Sequence, residues 1–218
     1  MDLKICVNCG DKAEVPVVLP GDPVLLCVRC GHRQPFLRLP MFALTGPSGT
    51  GKSTVGKMLT AELGDAVVVM EQDVLWSAGL QDPADDYRVF RATWLRMVAM
   101  VNQSGRPVVL CGTVVPVQFE RLPERAFLGD IHYLALTCAP DLLASRLRAR
   151  PAWREWDDED RITEMLEFNE WVRANAATMD PPMELLDTTG ISLAESVRVV
   201  TDWVRRGLAQ EKGSRSTG

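Results

Sequence analysis

Eight consecutive residues of this 218-residue chain, Gly46-Pro47-Ser48-Gly49-Thr50-Gly51-Lys52-Ser53, are of the types and spacing that hold a polyphosphate. The glycines let the backbone turn so that successive N–H groups point at one anion, and a helix starting there adds the positive end of its dipole. Lys52 can then reach the β- and γ-phosphates, and the Ser53 hydroxyl can bind Mg²⁺. The apolar run Met41 to Leu44 before the loop and the helical pattern after it supply the strand and helix that a phosphate-binding loop (P-loop) requires. Gly46 to Thr54 are therefore the candidate nucleotide-binding residues, with Lys52 also catalytic and Ser53 also a magnesium ligand.

A second constellation precedes it. Cys6-x-x-Cys9 and Cys27-x-x-Cys30, each pair followed by glycine, have the spacing of a four-thiolate zinc site. Two such turns aim four sulfurs at one metal across a hairpin, and a closed tetrahedral site is structural, because catalytic zinc keeps an open position. Cys111 and Cys138 lie in apolar runs and are expected as buried core thiols.

Composition bounds what surrounds these sites. With 46% hydrophobic and 24% charged residues the chain can bury one good core and carry a small appendage. No run approaches the ~18 apolar residues of a membrane span, and Met1-Asp2-Leu3-Lys4 leads into cysteines, so no membrane association and a cytoplasmic location are expected. A net charge of −5 argues against nucleic acid as a partner, which would need clustered Lys and Arg.

The elements follow from periodicity. Residues 1–40 are expected as the zinc ribbon and a proline-bounded connector, 41–208 as the nucleotide-binding domain and 209–218 as a flexible tail. Short apolar runs at 41–45, 66–70, 107–111, 131–137 and 184–186 predict five strands, and helical patterns fall at 52–63, 87–101, 118–127, 140–150, 160–177 and 193–208. Ser192 and Glu195 are placed as a capping box for the last helix. Strands alternating with helices predict an α/β fold with a doubly wound parallel sheet.

Later motifs narrow the chemistry. The second strand runs into Glu71-Gln72-Asp73, and strand C-termini face the ligand crevice of such sheets. Asp73 is the candidate general base for an acceptor hydroxyl, and Glu71 a candidate for holding Mg²⁺ through water. The third strand ends in Gly112-Thr113, without the terminal Asp of a motor ATPase, and a glycine there lets a second substrate approach. Arg146 and Arg150 share a helix face, where they can bring positive charge to a transferring phosphoryl group; Arg154 is a further candidate for covering the site, and Trp153 and Trp156 could shield it but are expected first to cover the core. The turn Asp187-Thr188-Thr189 follows the last strand and can lie against an adenine edge. Between the second and third strands, Arg88 and Arg91 can bind an anionic acceptor or neutralise Asp82, Asp85 and Asp86.

At these residues the chain resembles the P-loop kinases of the nucleoside monophosphate kinase, shikimate kinase and gluconate kinase group. Gly46 to Ser53 matches their Walker A loop, and Glu71-Gln72-Asp73 stands where several have a D-x-D that binds Mg²⁺ and activates the acceptor. Arg146-Leu147-Arg148-Ala149-Arg150 resembles the R-x-x-x-R of adenylate kinases, which implies adenine stacking by Arg146 and phosphate contact by Arg150. Asp187-Thr188-Thr189 is similar to the group's base-binding turn. The expected activity is an ATP- and Mg²⁺-dependent transfer to a hydroxyl or phosphate of a small molecule, a nucleoside or related metabolite in the first place. Two alternatives remain at this level: an antibiotic-inactivating phosphotransferase, and a nucleotide-switched adaptor binding RNA or protein through the zinc ribbon. The ribbon could also support a homodimer or protein docking.

Overall fold

The structure is a computed structural model that describes residues 2–14, 16–77, 79–151 and 158–215, with side chains to residue 211. Trp153, Arg154 and Trp156 lie outside the described residues. Three short strands, β1 (Val17–Val18), β2 (Val24–Leu26) and β3 (Arg33–Pro35), form an antiparallel sheet in the order β1-β2-β3. The remaining strands are β4 (Met41–Thr45), β5 (Val68–Glu71), β6 (Val108–Cys111), β7 (Ile131–Thr137) and β8 (Met183–Asp187). They make a parallel sheet in the order β5-β6-β4-β7-β8.

Central β4 is buried at all five positions, as a parallel strand covered on both faces must be. Its side chains alternate between two cores. Phe42 and Leu44 pack with Val55 and Leu59 of α1 (Lys52–Leu63) and with Val200, Trp203 and Val204 of α6 (Leu193–Arg215). Met41 and Ala43 face the opposite layer, with Phe90, Trp94, Leu95 and Val98 of α2 (Arg88–Asn102), Phe119 of α3 (Pro116–Glu120) and Val172 of α5 (Glu159–Asn175). Helices on both faces make the fold a doubly wound α/β sheet. A smaller cluster, Leu143 and Leu147 of α4 (Pro140–Arg148) with Ile162 of α5, forms a lobe beside the phosphate-binding loop.

Several element bounds differ from expectation for identifiable reasons. The expected helix over 118–127 is broken: α3 starts with Pro116 in its first turn, and Pro123, unable to continue an α-helix, opens a 3₁₀ turn to Phe127. The second strand starts at Val68 because Gly64–Ala66 finish α1 as a 3₁₀ turn. The segment from Ala209, expected as a tail, is helical through Arg215, since Ala209, Gln210, Glu211 and Lys212 are strong helix formers. Half of the expected capping box is present, the Glu195 amide donating to the Ser192 hydroxyl at 3.1 Å.

The cysteine module joins the opposite end of the sheet from the strand C-termini. Leu37 exchanges hydrogen bonds with the Gln103 side chain just after α2, the Gly129 amide donates to the Leu39 carbonyl at 2.9 Å, and Phe36 meets Phe127 edge to face. Leu3, Leu25 and Phe36 thereby extend the core of the α2 face.

One contact tests this packing. A Cβ on Gly207 of α6 would lie 2.5 Å from the fully buried Phe42 ring. Alanine gains up to about 1 kcal/mol of helix propensity, but overpacking a fixed ring costs about 1–3 kcal/mol. Gly207→Ala is expected to lower Tm by several degrees; an unchanged or raised Tm in thermal unfolding would show that propensity wins.

Candidate functional site

The elements converge on one cavity of about 500 Å³ at the C-terminal edge of the parallel sheet. Ser48 to Val55, Glu71, Asp73, Cys111 to Thr113, Arg146, Arg150 and Thr188 line it. The place follows from topology: β4 lies between β6 and β7, so strand order reverses around it and a crevice opens beyond its end.

The phosphate-binding loop is locally determined. Gly46 has φ +119°, and a Cβ there would collide with the Leu136 carbonyl of β7. Gly49, at φ +93°, presses against Leu143 and Leu147 of α4. Gly51, at φ +102°, caps the start of α1, so the helix N-terminus opens toward the cavity. Lys52 folds back into the loop, its Nζ donating to the Gly46 and Pro47 carbonyls at 2.7 and 2.8 Å. The residue as a whole is partly buried, and its ammonium is enclosed. Burial pulls the Lys52 pKa down to about 8; Asp73 opposes the shift and Arg150 adds to it.

Across the crevice, Glu71 ends β5 and Asp73 follows in the 3₁₀ turn Gln72–Leu75. Burial raises the Glu71 pKa, partly offset by a hydrogen bond with Ser53. Ser53, Glu71 and Asp73 thus bring a hydroxyl and two carboxylates to one cavity, a hard-oxygen set that fits Mg²⁺. At the far end, Arg146 donates to the Thr188 hydroxyl at 3.4 Å, and Thr188 is tied to the Thr137 carbonyl at 2.9 Å.

Two expected site residues stand elsewhere. Asp187 faces Arg173 at 2.7 Å and accepts from Thr189, which together hold its pKa low, and it does not line the cavity. Arg88 pairs with Asp85 at 2.8 Å on the surface. Conversely, Ile191, Leu193 and Ser196 complete the wall next to Thr188 without having been singled out. Their only signal was position, directly after the turn and at the start of a capped helix.

Cys6, Cys9, Cys27 and Cys30 meet with all sulfurs within 4.8 Å of one another. Cys6–Cys30 and Cys9–Cys27 are each 3.7 Å apart, where Zn–S bonds of 2.3 Å in a tetrahedron require about 3.8 Å. None of the four lines the large cavity. The donor set fits a closed zinc centre.

A five-stranded parallel sheet, a P-loop at its central strand and a lysine facing two carboxylates define a P-loop kinase. Residues 43–167 match the family model described as "AAA domain", and the chain belongs to that family. It is 25% identical over 173 residues to a protein of Thermococcus kodakarensis named "Putative adenylate kinase", covering 79% of this chain and 90% of that one. It is 27% identical over 183 residues to the shikimate kinase of Chlorobaculum tepidum, covering 75% and 91%. A gluconokinase from Sinorhizobium meliloti shares the fold with TM-score 0.54 at 21% identity, over 84% of this chain and 99% of that one.

The lysine sets a pH limit. Its ammonium is the form that binds phosphate, so affinity for a Mg-nucleotide is expected to hold up to about pH 8 and fall above it as the proton leaves. Titrating the nucleotide across that range checks this; affinity still level at about pH 10, the ordinary lysine value, would mean that Lys52 is not held down.

Proposed function

We propose that this protein transfers the γ-phosphoryl group of ATP to a hydroxyl of a small uncharged molecule, a nucleoside or related metabolite. The observation that carries this reading is the placing of Asp73 in one cavity with Lys52 while the acceptor-side arginines are already neutralised. Arg88 pairs with Asp85, and Arg91 pairs with Asp86 at 2.8 Å. A phosphorylated or carboxylated acceptor would have to displace these aspartates. An uncharged one need not, and Trp76, 48% exposed just beyond Asp73 and packed against Tyr87 and the buried Phe90, offers it an aromatic face.

In this mechanism the triphosphate lies in the loop, and Lys52 leaves the Gly46 and Pro47 carbonyls for the phosphate oxygens. Asp73 accepts the acceptor hydroxyl proton as that oxygen bonds to the γ-phosphorus and the bond to the bridging oxygen of ADP breaks. Arg150 stabilises the charge on the transferring group, and Arg146 lies against the base with Thr188. Mg²⁺, held through Ser53 and Glu71, would neutralise phosphate charge. Gly112 and Thr113 form the backbone wall beside the acceptor.

Residues 41–208 act as the kinase domain in this reading, and residues 1–40 as a zinc ribbon and connector that stabilise it. That none of the four cysteines lines the cavity supports a structural role.

The first experiment incubates the protein with Mg-ATP and a panel of nucleosides, nucleoside monophosphates, sugars and phenicol- or aminoglycoside-like alcohols, and follows new phosphorylated masses. A phosphorylated nucleoside is expected; a monophosphate or antibiotic product would move the acceptor class, and none at all would refute transfer. Lys52→Ala should abolish product, whereas Asp73→Asn should keep nucleotide affinity and lower turnover by about 10²-fold or more. Chelating the metal should lower Tm while nucleotide affinity, measured below the new transition, stays within about twofold, as expected for a structural site.

A further inference from the structure

Between the two carboxylates of the crevice sits Gln72, a residue the mechanism above does not use. It is 3% exposed, and three neighbours hold it. Its backbone carbonyl accepts from the Trp94 indole Nε1 of α2 at 3.1 Å. Its side-chain Oε1 accepts from the Thr113 amide after β6 at 3.0 Å. Its stem crosses Gly112 so closely that a Cβ there would come within 2.5 Å of the Gln72 Cβ. The Thr113 N–H also settles the amide orientation, since a flipped amide would set donor against donor.

The relay continues. The Thr113 hydroxyl donates to the Gly46 carbonyl at 3.3 Å, the same oxygen that takes Lys52 at 2.7 Å. When Lys52 turns to a phosphate, that carbonyl loses its charged partner, and Thr113 keeps it satisfied. Gln72 Nε2, by contrast, is buried with no partner among the described residues. An unsatisfied buried donor is costly, a cost that an apolar filler of the same length would avoid. The cost makes sense only if the Oε1 bond serves a purpose that filling does not.

We propose that Gln72 is a positioning residue for phosphoryl transfer. Clamped by α2 on one side and Thr113 on the other, it fixes the backbone from which Asp73 projects relative to Gly46 and Lys52. The inference rests on the roles given above to Lys52 and Asp73, but its test needs no acceptor.

The readout is the slow release of phosphate from Mg-ATP without an acceptor, water standing in the acceptor's place. Gln72→Met removes the Thr113 acceptor at nearly constant length and should lower kcat severalfold while the KM for ATP stays close to wild type. Asp73→Asn should lower kcat as well, and the double variant no further than the slower single variant. Gly112→Ala, which pushes the Gln72 side chain out from the other side, should repeat the fall in kcat. A Gln72→Met protein with lowered Tm but unchanged kcat would reduce Gln72 to a structural part and overturn the proposal. Should these variants fail to fold, the unmodified protein still decides. A Thr113 amide protected from hydrogen exchange is expected, and one exchanging as fast as an open loop refutes the clamp. Failure to phosphorylate any acceptor leaves both measurements intact, so the two readings fall separately.

Discussion

The point at which β4 stops fixes everything around it. Thr45, 1% exposed, donates its hydroxyl to the Val114 carbonyl at 2.6 Å and accepts from the Val114 amide at 2.9 Å. The Gly112 amide donates to the Leu44 carbonyl at 3.1 Å, and Gly46 then turns away in a conformation with no room for a side chain beside Leu136. The strand is thereby tied to both neighbours at the residue where the loop begins. A nest of backbone N–H groups binds an anion only if its geometry is held without the anion, and these bonds hold it. Glu71 and Asp73 reach the same cavity because β5 lies one strand beyond β6 and ends level with it, Glu71 pairing with Cys111.

Enclosure of Lys52 has an energetic meaning. A buried ammonium on two neutral carbonyls is less well solvated than in water, which is why its pKa falls to about 8. Phosphate oxygens are better partners than carbonyls, because hydrogen bonds between ionised groups are roughly twice as strong as neutral ones. Arrival of nucleotide therefore relieves a strained electrostatic state, and part of the affinity comes from that relief. Burial likewise raises the Glu71 pKa, and its hydrogen bond with Ser53 offsets only part of that shift.

The parts legible in sequence were those with a strict local cause. The P-loop requires glycine where φ is positive, and Gly46, Gly49 and Gly51 all stand there. The strands Met41–Thr45 and Ile131–Thr137 were legible to the residue, because strands covered on both faces read as nearly continuous apolar runs. Legibility declined where tertiary partners decide. Asp187 looked like a base-binding residue from its turn, and only the structure shows its carboxylate meeting Arg173, fourteen positions earlier. Arg88 could bind an anion or a neighbouring aspartate, and only its geometry with Asp85 distinguishes the two. Gln72 gave no signal at all, since its role depends on Thr113, 41 residues on, and on an indole from α2.

The cysteine module meets the fold where it can brace the site without entering it. Its connector grips the C-terminal end of α2: the Asn102 side chain donates to the Leu39 carbonyl at 3.2 Å, and Gln103 pairs with Leu37 in both directions. The N-terminal end of the same helix carries Phe90 against Trp76 and, one turn on, Trp94 against Gln72. At 1.5 Å per residue the 15 residues of α2 make it about 22 Å long, so the connector and the turn that carries Asp73 contact opposite stretches of one helix. One helix thus joins the connector at its C-terminal end to the carbonyl before Asp73 nearer its N-terminal end.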